Sequence, residues 1–107
     1  MEQIRAQELA DWLADASRQP PVLLDVREDW EVALCSLPGI THLPMQQIPA
    51  RLAELDTETE VVVICHHGVR SMQVALFLER QGFSSLSNLS GGMAAWAEEV
   101  DPSMRRY

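Results

Sequence analysis

Apolar positions along the chain fall into two periodicities that take turns. Leu9, Trp12, Leu13 and Ala16 follow i, i+3, i+4, i+7, which predicts an amphipathic helix over 6–17. Pro20 and Pro21 bar its continuation. Val22-Leu23-Leu24 is a short unbroken apolar run, as in a strand covered on both faces, and it ends in the polar group Asp25-Val26-Arg27-Glu28. Residues 29–34 suit a short helix, closed by the Pro38-Gly39 turn. Thr41-His42-Leu43 reads as a brief strand, and Ile48, Leu52 and Leu55 give helical spacing over 48–55. Val61-Val62-Val63-Ile64 is the clearest strand, four β-branched residues without a polar interruption. A loop from Cys65 to Arg70 leads to a helix over 71–81, stopped by Gly82. Leu86-Ser87-Asn88-Leu89 is a last strand, and Gly91-Gly92 opens a helix that runs through Trp96.

Strands alternating with helices over short connections predict an α/β fold: a mainly parallel sheet with helices on both faces. The 107 residues, 47% of them hydrophobic, fill one core, so residues 1–107 are expected to form a single domain. No repeat, low-complexity tract or linker divides them.

Charge and cysteine content narrow the function classes. Sixteen acids against eight bases, all eight arginine, give a formal net charge of −8 with no basic stripe, which argues against nucleic acid. No apolar run reaches the roughly 20 residues of a membrane span, and Met1-Glu2-Gln3-Ile4-Arg5 lacks the basic-then-apolar order of a secretion signal. Two cysteines are too few for a disulfide framework, so the expected location is the cytoplasm.

The chemistry concentrates where the best strand meets the next helix. In open parallel sheets that junction is where ligands bind. Here it carries Cys65-His66-His67-Gly68-Val69-Arg70-Ser71. Loop amides and a helix N-terminus both favour a thiolate there, the nucleophilic form of cysteine. Gly68 allows a backbone turn that a side chain forbids, and Arg70 adds a permanent positive charge. The competing reading is a buried core cysteine, a common fate of that residue; Gly68, Arg70 and Ser71 in one loop tell against it.

This loop resembles the Cys-x-x-Gly-x-[Arg/Thr/Ser]-Ser motif of the rhodanese family, matched by Cys65, Gly68, Arg70 and Ser71. Two further blocks match in order: Leu24-Asp25-Val26-Arg27-Glu28 with Trp30-Glu31 and Leu37-Pro38-Gly39, then Leu89-Ser90-Gly91-Gly92-Met93-Ala94-Ala95-Trp96. One departure is Cys35-Ser36 where the family carries Gly-His before Ile-Pro-Gly. The resemblance implies a three-layer rhodanese-like domain with about five strands. It also implies a sulfurtransferase in which Cys65 takes sulfur from thiosulfate or a persulfide donor and passes it to cyanide or a thiol. Loop amides from His66 to Arg70 would hold the outer sulfur, Arg70 would help bind an anionic donor, and no metal or organic cofactor is required.

Asp25 and Arg27, at the end of a neighbouring strand, are expected either to brace the Cys65 loop as an ion pair or to touch substrate. His66 and His67 are expected to act through their backbones, with a side-chain acid–base role as the alternative. Cys35 reads as a packed thiol, with resolution of a Cys65 persulfide as its alternative. A zinc site from Cys65, His66, His67 and His42 is poorly spaced. Glu28 and Glu31 read as acids favourable to a helix N-terminus, Trp12, Trp30 and Trp96 as core, and 101–107 as a loosely ordered end. Two rivals remain. A sulfur-relay or binding module would exchange persulfide with a protein partner. A cysteine phosphatase or arsenate reductase would need Cys-x5-Arg, whereas Cys65 and Arg70 are separated by one residue fewer.

Overall fold

The computed structural model describes all of residues 1–107. Five parallel strands form one sheet in the order β1-β5-β4-β2-β3. They are β1 (Glu2–Ile4), β2 (Val22–Asp25), β3 (Thr41–His42), β4 (Val61–Ile64) and β5 (Leu86–Leu89). The helices are α1 (Ala6–Ala14), α2 (Asp29–Leu34), α3 (Val69–Arg80) and α4 (Gly92–Glu99). Neighbouring strands that run parallel need a crossover; α2 lies between β2 and β3 and α3 between β4 and β5, whereas α4 follows the last strand and packs against α1.

The alternation of side chains along a strand divides the core in two. Val61, Val63 and Cys65 face one layer, where they meet Val74, Ala75 and Leu78 of α3 together with Leu43, Ile48 and Phe83. Val62 and Ile64 face the other, with Leu9 and Trp12 of α1 and Met93 and Trp96 of α4. All four residues of β4 are buried, as befits the central strand of a sheet covered on both sides. Cys65 continues the odd-numbered face of β4, so the fold places it at the strand's carboxyl end, turned toward α3.

Several expectations are corrected. The first helix ends at Ala14, not at 17, because the Asp15 side chain accepts from the Ser17 amide (3.0 Å) and hydroxyl (2.6 Å) and folds a turn before the prolines. The 48–55 helix is replaced by two 3-10 turns, Met45–Gln47 and Leu52–Glu54, since Pro49 lies between them and cannot donate to a helical ladder. The Cys65–Arg70 loop is shorter than expected, because α3 begins at Val69. Strand β1 was not foreseen; it pairs Ile4 with Leu89 at the sheet edge. Trp30 lies outside the core, 60% exposed, while Trp12 and Trp96 are buried. Residues 101–107 are not loose: Met104 and Arg106 bond back to Asp101 and Ala97, and Tyr107 is anchored as described below.

Candidate active site

The Cys65 loop is built by contacts from β5, α3 and α4. Gly68 caps α3 with φ +97°, a left-handed conformation, and a Cβ there would lie 3.2 Å from the Gly91 nitrogen and the Leu89 oxygen. This turn aims the Gly68 amide at Cys65 Sγ, 3.0 Å away. At the start of α4, where helical N–H groups lack partners within the helix, the Met93 and Ala94 amides donate to the carbonyls of Cys65 (2.9 Å) and His66 (3.0 Å). With its carbonyls drawn toward α4, the loop keeps the amides of His66, His67, Val69 and Arg70 free of backbone acceptors. Gly92, with φ +58°, allows that approach; a Cβ on it would collide with the Cys65 and His66 carbonyls. Gly92→Ala is therefore expected to cost about 1–3 kcal/mol of stability for the backbone strain, and to slow Cys65 alkylation by displacing the loop. Gly39→Ala, equally at positive φ but with open space around it, should show only the strain in urea unfolding.

A buried polar chain continues behind the sulfur. Cys65 Sγ lies 3.2 Å from Ser71 Oγ, and the Ser71 hydroxyl donates to Asn88 Oδ1 at 2.5 Å. The Asn88 amide group donates to Gln3 Oε1 and the Gly68 carbonyl, which fixes which way the amide points. With its one hydrogen committed to Asn88, Ser71 accepts from a protonated Cys65 and leaves Gly68 as the donor on the sulfur. Cys65 and Ser71 are 1% and 0% exposed. His66, Gly68 and Arg70 are partly exposed, and His67 and Val69 are exposed. His67 stacks on His66 with centroids 4.0 Å apart. Burial, and after it the nearness of His67, holds His66 below the ordinary histidine range.

Arg70 does not stand free. Its two terminal nitrogens grip Glu31 at 2.7 and 2.8 Å, a bidentate pair on a carboxylate that is 4% exposed. Glu31 was read only as a helix N-terminal acid. It is that too, accepting from the Glu28 amide at 2.9 Å in a capping box. The Arg70 hydrogen bonds, opposed by burial and aided by Glu28 and the Tyr107 hydroxyl, bring the Glu31 carboxyl down to about 2. Its folded value is depressed, so its stabilisation is complete above its ordinary value of 4.5 and lost as pH falls through that window. Unfolding free energy should drop by about 2 kcal/mol between about pH 5 and pH 2 through this group, discounted for Arg70, which is 32% exposed. Glu31→Gln should flatten that acid limb.

Asp25 and Arg27 sit beneath the site, not on it. Both are 0% exposed and joined through Asp25 Oδ2 and Arg27 Nη2 at 2.7 Å. Arg27 also donates to the Cys35 carbonyl (2.7 Å), the Glu31 carbonyl (3.4 Å) and the Tyr107 oxygen (3.1 Å), tying β2 to α2. Burial works against its charge, but Asp25 first and Tyr107 after it raise it above the ordinary arginine value. Cys35 is half-buried, 3.8 Å from Arg27 Nη1, and lines a cleft of about 150 Å³ with His66, His67 and Tyr107.

The arrangement is that of a buried thiol at a strand end, with one hydrogen-bond donor on its sulfur, loop amides without backbone acceptors, and the Arg70 cation five residues on. Asn88, Glu31 and Tyr107 belong to this constellation and were missed, since each is a single polar residue distant in sequence from Cys65.

Comparison with known proteins gives the family. The family model described as "Rhodanese-like domain" matches residues 6–99. A sulfurtransferase of Allochromatium vinosum is 36% identical over 100 residues, covering 94% of this chain and 92% of the relative. YtwF of Bacillus subtilis is 46% identical over 80 residues, 75% of this chain and 77% of the relative. The crystal structure of a rhodanese-like domain protein from Staphylococcus aureus superposes with a TM-score of 0.84 at 34% identity, covering 94% of this chain and 95% of that one. The five-stranded parallel sheet, the order of its motifs and these relatives together establish that the chain belongs to the rhodanese-like sulfurtransferase family.

Proposed function

We propose that the protein moves a sulfane sulfur from thiosulfate or a persulfide donor to a thiophilic acceptor through a persulfide on Cys65. The observation that carries this reading is Cys65 Sγ held by the Gly68 amide in a loop whose other amides have no backbone acceptors. The Cys65 thiolate attacks the outer sulfur of thiosulfate; the S–S bond of the donor breaks, sulfite leaves with the bonding pair, and a Cys65 persulfide forms. Cyanide or a thiolate then attacks the terminal sulfur, and the Cys65 thiolate leaves. Free loop amides stabilise the anionic terminal sulfur as an oxyanion hole stabilises oxygen. Arg70, with Glu31 on one side, offers its remaining N–H edge to an anionic donor.

Loop length argues against phosphoryl chemistry. Four residues between Cys65 and Arg70 supply one amide fewer than the Cys-x5-Arg loop that wraps a transferred phosphoryl group. The test compares thiocyanate formation from thiosulfate and cyanide with hydrolysis of an aryl phosphate. Turnover of the first and none of the second is expected; the reverse would overturn the reading. Relay, in which the persulfide is accepted from a protein partner, is a second reading, favoured by the 66% exposure of Val69 at the start of α3. Faster sulfur transfer from a cysteine desulfurase than from thiosulfate would establish it.

A further inference from the structure

Tyr107 is the chain's single tyrosine and the meeting point of two ion pairs. Its hydroxyl donates to Glu31 Oε2 at 2.7 Å, the same oxygen that accepts from Arg70 Nη2 at 2.8 Å. Its oxygen accepts from Arg27 Nη1 at 3.1 Å. Its ring stacks on His66, centroids 4.0 Å apart and planes 18° off parallel, and takes Trp30 edge-on at 5.4 Å. Residues 101–107 therefore return the chain to the first residue after Cys65 and to the partner of Arg70.

We propose that Tyr107 is a positioning residue for sulfur transfer, which sets how strongly the Arg70 charge is felt at the Cys65 sulfur. The proposal rests on the assignment of Cys65 as the sulfur carrier. Glu31 holds Arg70 and at the same time opposes its field. The Tyr107 hydroxyl, backed by the Arg27 cation, takes up part of the Glu31 charge through Oε2. That leaves more of the guanidinium's field for an anion at Cys65. The stacked ring, meanwhile, fixes the His66 end of the loop. Burial pushes the Tyr107 phenol up to about 12, so it remains a hydrogen-bond donor across the working pH range.

The consequence is a charge preference that a merely structural tyrosine would not create. Cys65 is alkylated by iodoacetate, an anion, and by iodoacetamide, its neutral counterpart; in both the thiolate displaces iodide from carbon. Peptide mass spectrometry separates Cys65 from Cys35. Tyr107→Phe keeps the ring and removes the hydroxyl. It is expected to lower the iodoacetate-to-iodoacetamide rate ratio at Cys65 by about three- to tenfold, the size of couplings passed between adjoining groups. The thiosulfate KM should rise in the same proportion with kcat unchanged. Arg70→Ala gives the ratio in the absence of that cation. An unchanged or increased ratio in Tyr107→Phe overturns the proposal, whether or not its thermal midpoint falls. Should the unaltered protein take no sulfur from thiosulfate or a desulfurase, the sulfur-transfer reading fails by itself. The alkylation ratio still decides whether Tyr107 tunes the field at Cys65.

Discussion

Cys65→Ser is expected to cut thiosulfate-dependent thiocyanate formation by at least about a thousandfold while the protein stays folded. The size follows from covalent catalysis, in which deleting the nucleophile removes the only atom able to carry the transferred group. The remaining contacts cannot substitute, because the Gly68 amide and the neighbouring free amides stabilise a sulfur that must first be attached. Folding should survive, because a serine hydroxyl at this position still meets the Gly68 amide and Ser71, the two partners of the present Sγ. Replacing one buried thiol by a hydroxyl bonded on both sides costs about 1 kcal/mol. Circular dichroism and urea unfolding would check the fold, and thiocyanate assay the activity. A folded variant that retains turnover would remove Cys65 from the mechanism.

The second large effect is one of stability. Asp25→Ala should lower the unfolding free energy by about 3–5 kcal/mol, because it leaves the Arg27 guanidinium fully buried without its counter-charge. The neutral acceptors that remain, the carbonyls of Glu31 and Cys35 and the Tyr107 oxygen, satisfy donors but not the charge. Replacing both partners by apolar residues, Asp25→Leu with Arg27→Met, should recover much of that loss, since the cost lies in the orphaned ion. Urea unfolding of the single and double variants measures the difference. A single variant within about 1 kcal/mol of the parent would show that water or backbone shifts solvate Arg27.

The sheet was legible because its strands are apolar and bounded by turn residues. Val61–Ile64 could be little else, and the buried run from Val22 needed only one more residue, Asp25, which an apolar pattern cannot recognise. Strand β1 escaped because Glu2 and Gln3 are polar and exposed and the strand has three residues. Its reason to exist is the edge of β5, far along the chain. The spacing of Ile48, Leu52 and Leu55 was helical, but Pro49 decided the local backbone. Trp30 looked like core by residue type, yet it lies on the exposed face of a six-residue helix and finds an aromatic partner in Tyr107.

The site divided along the same line. The contiguous Cys65–Ser71 motif pointed to this loop as the candidate site, and the glycines marked positions where backbones approach closely. What stayed hidden were contacts made across the sequence. Arg70 looked like a free cation because Glu31, thirty-nine positions upstream, carried an adequate local explanation as a helix-capping acid. Tyr107 looked like part of a loose end because nothing in 101–107 forecasts its two hydrogen bonds. Gly92 was recognisable as part of a motif, but its function, letting α4 reach the Cys65 and His66 carbonyls, required the fold.

The most direct test of a sulfur carried on Cys65 is the intact mass of the protein after incubation with thiosulfate, with and without later addition of cyanide. One added sulfur, located to the Cys65 peptide, lost on cyanide treatment and absent from Cys65→Ser, is the predicted result. A protein whose mass never changes, or whose added sulfur resides on Cys35, would contradict it.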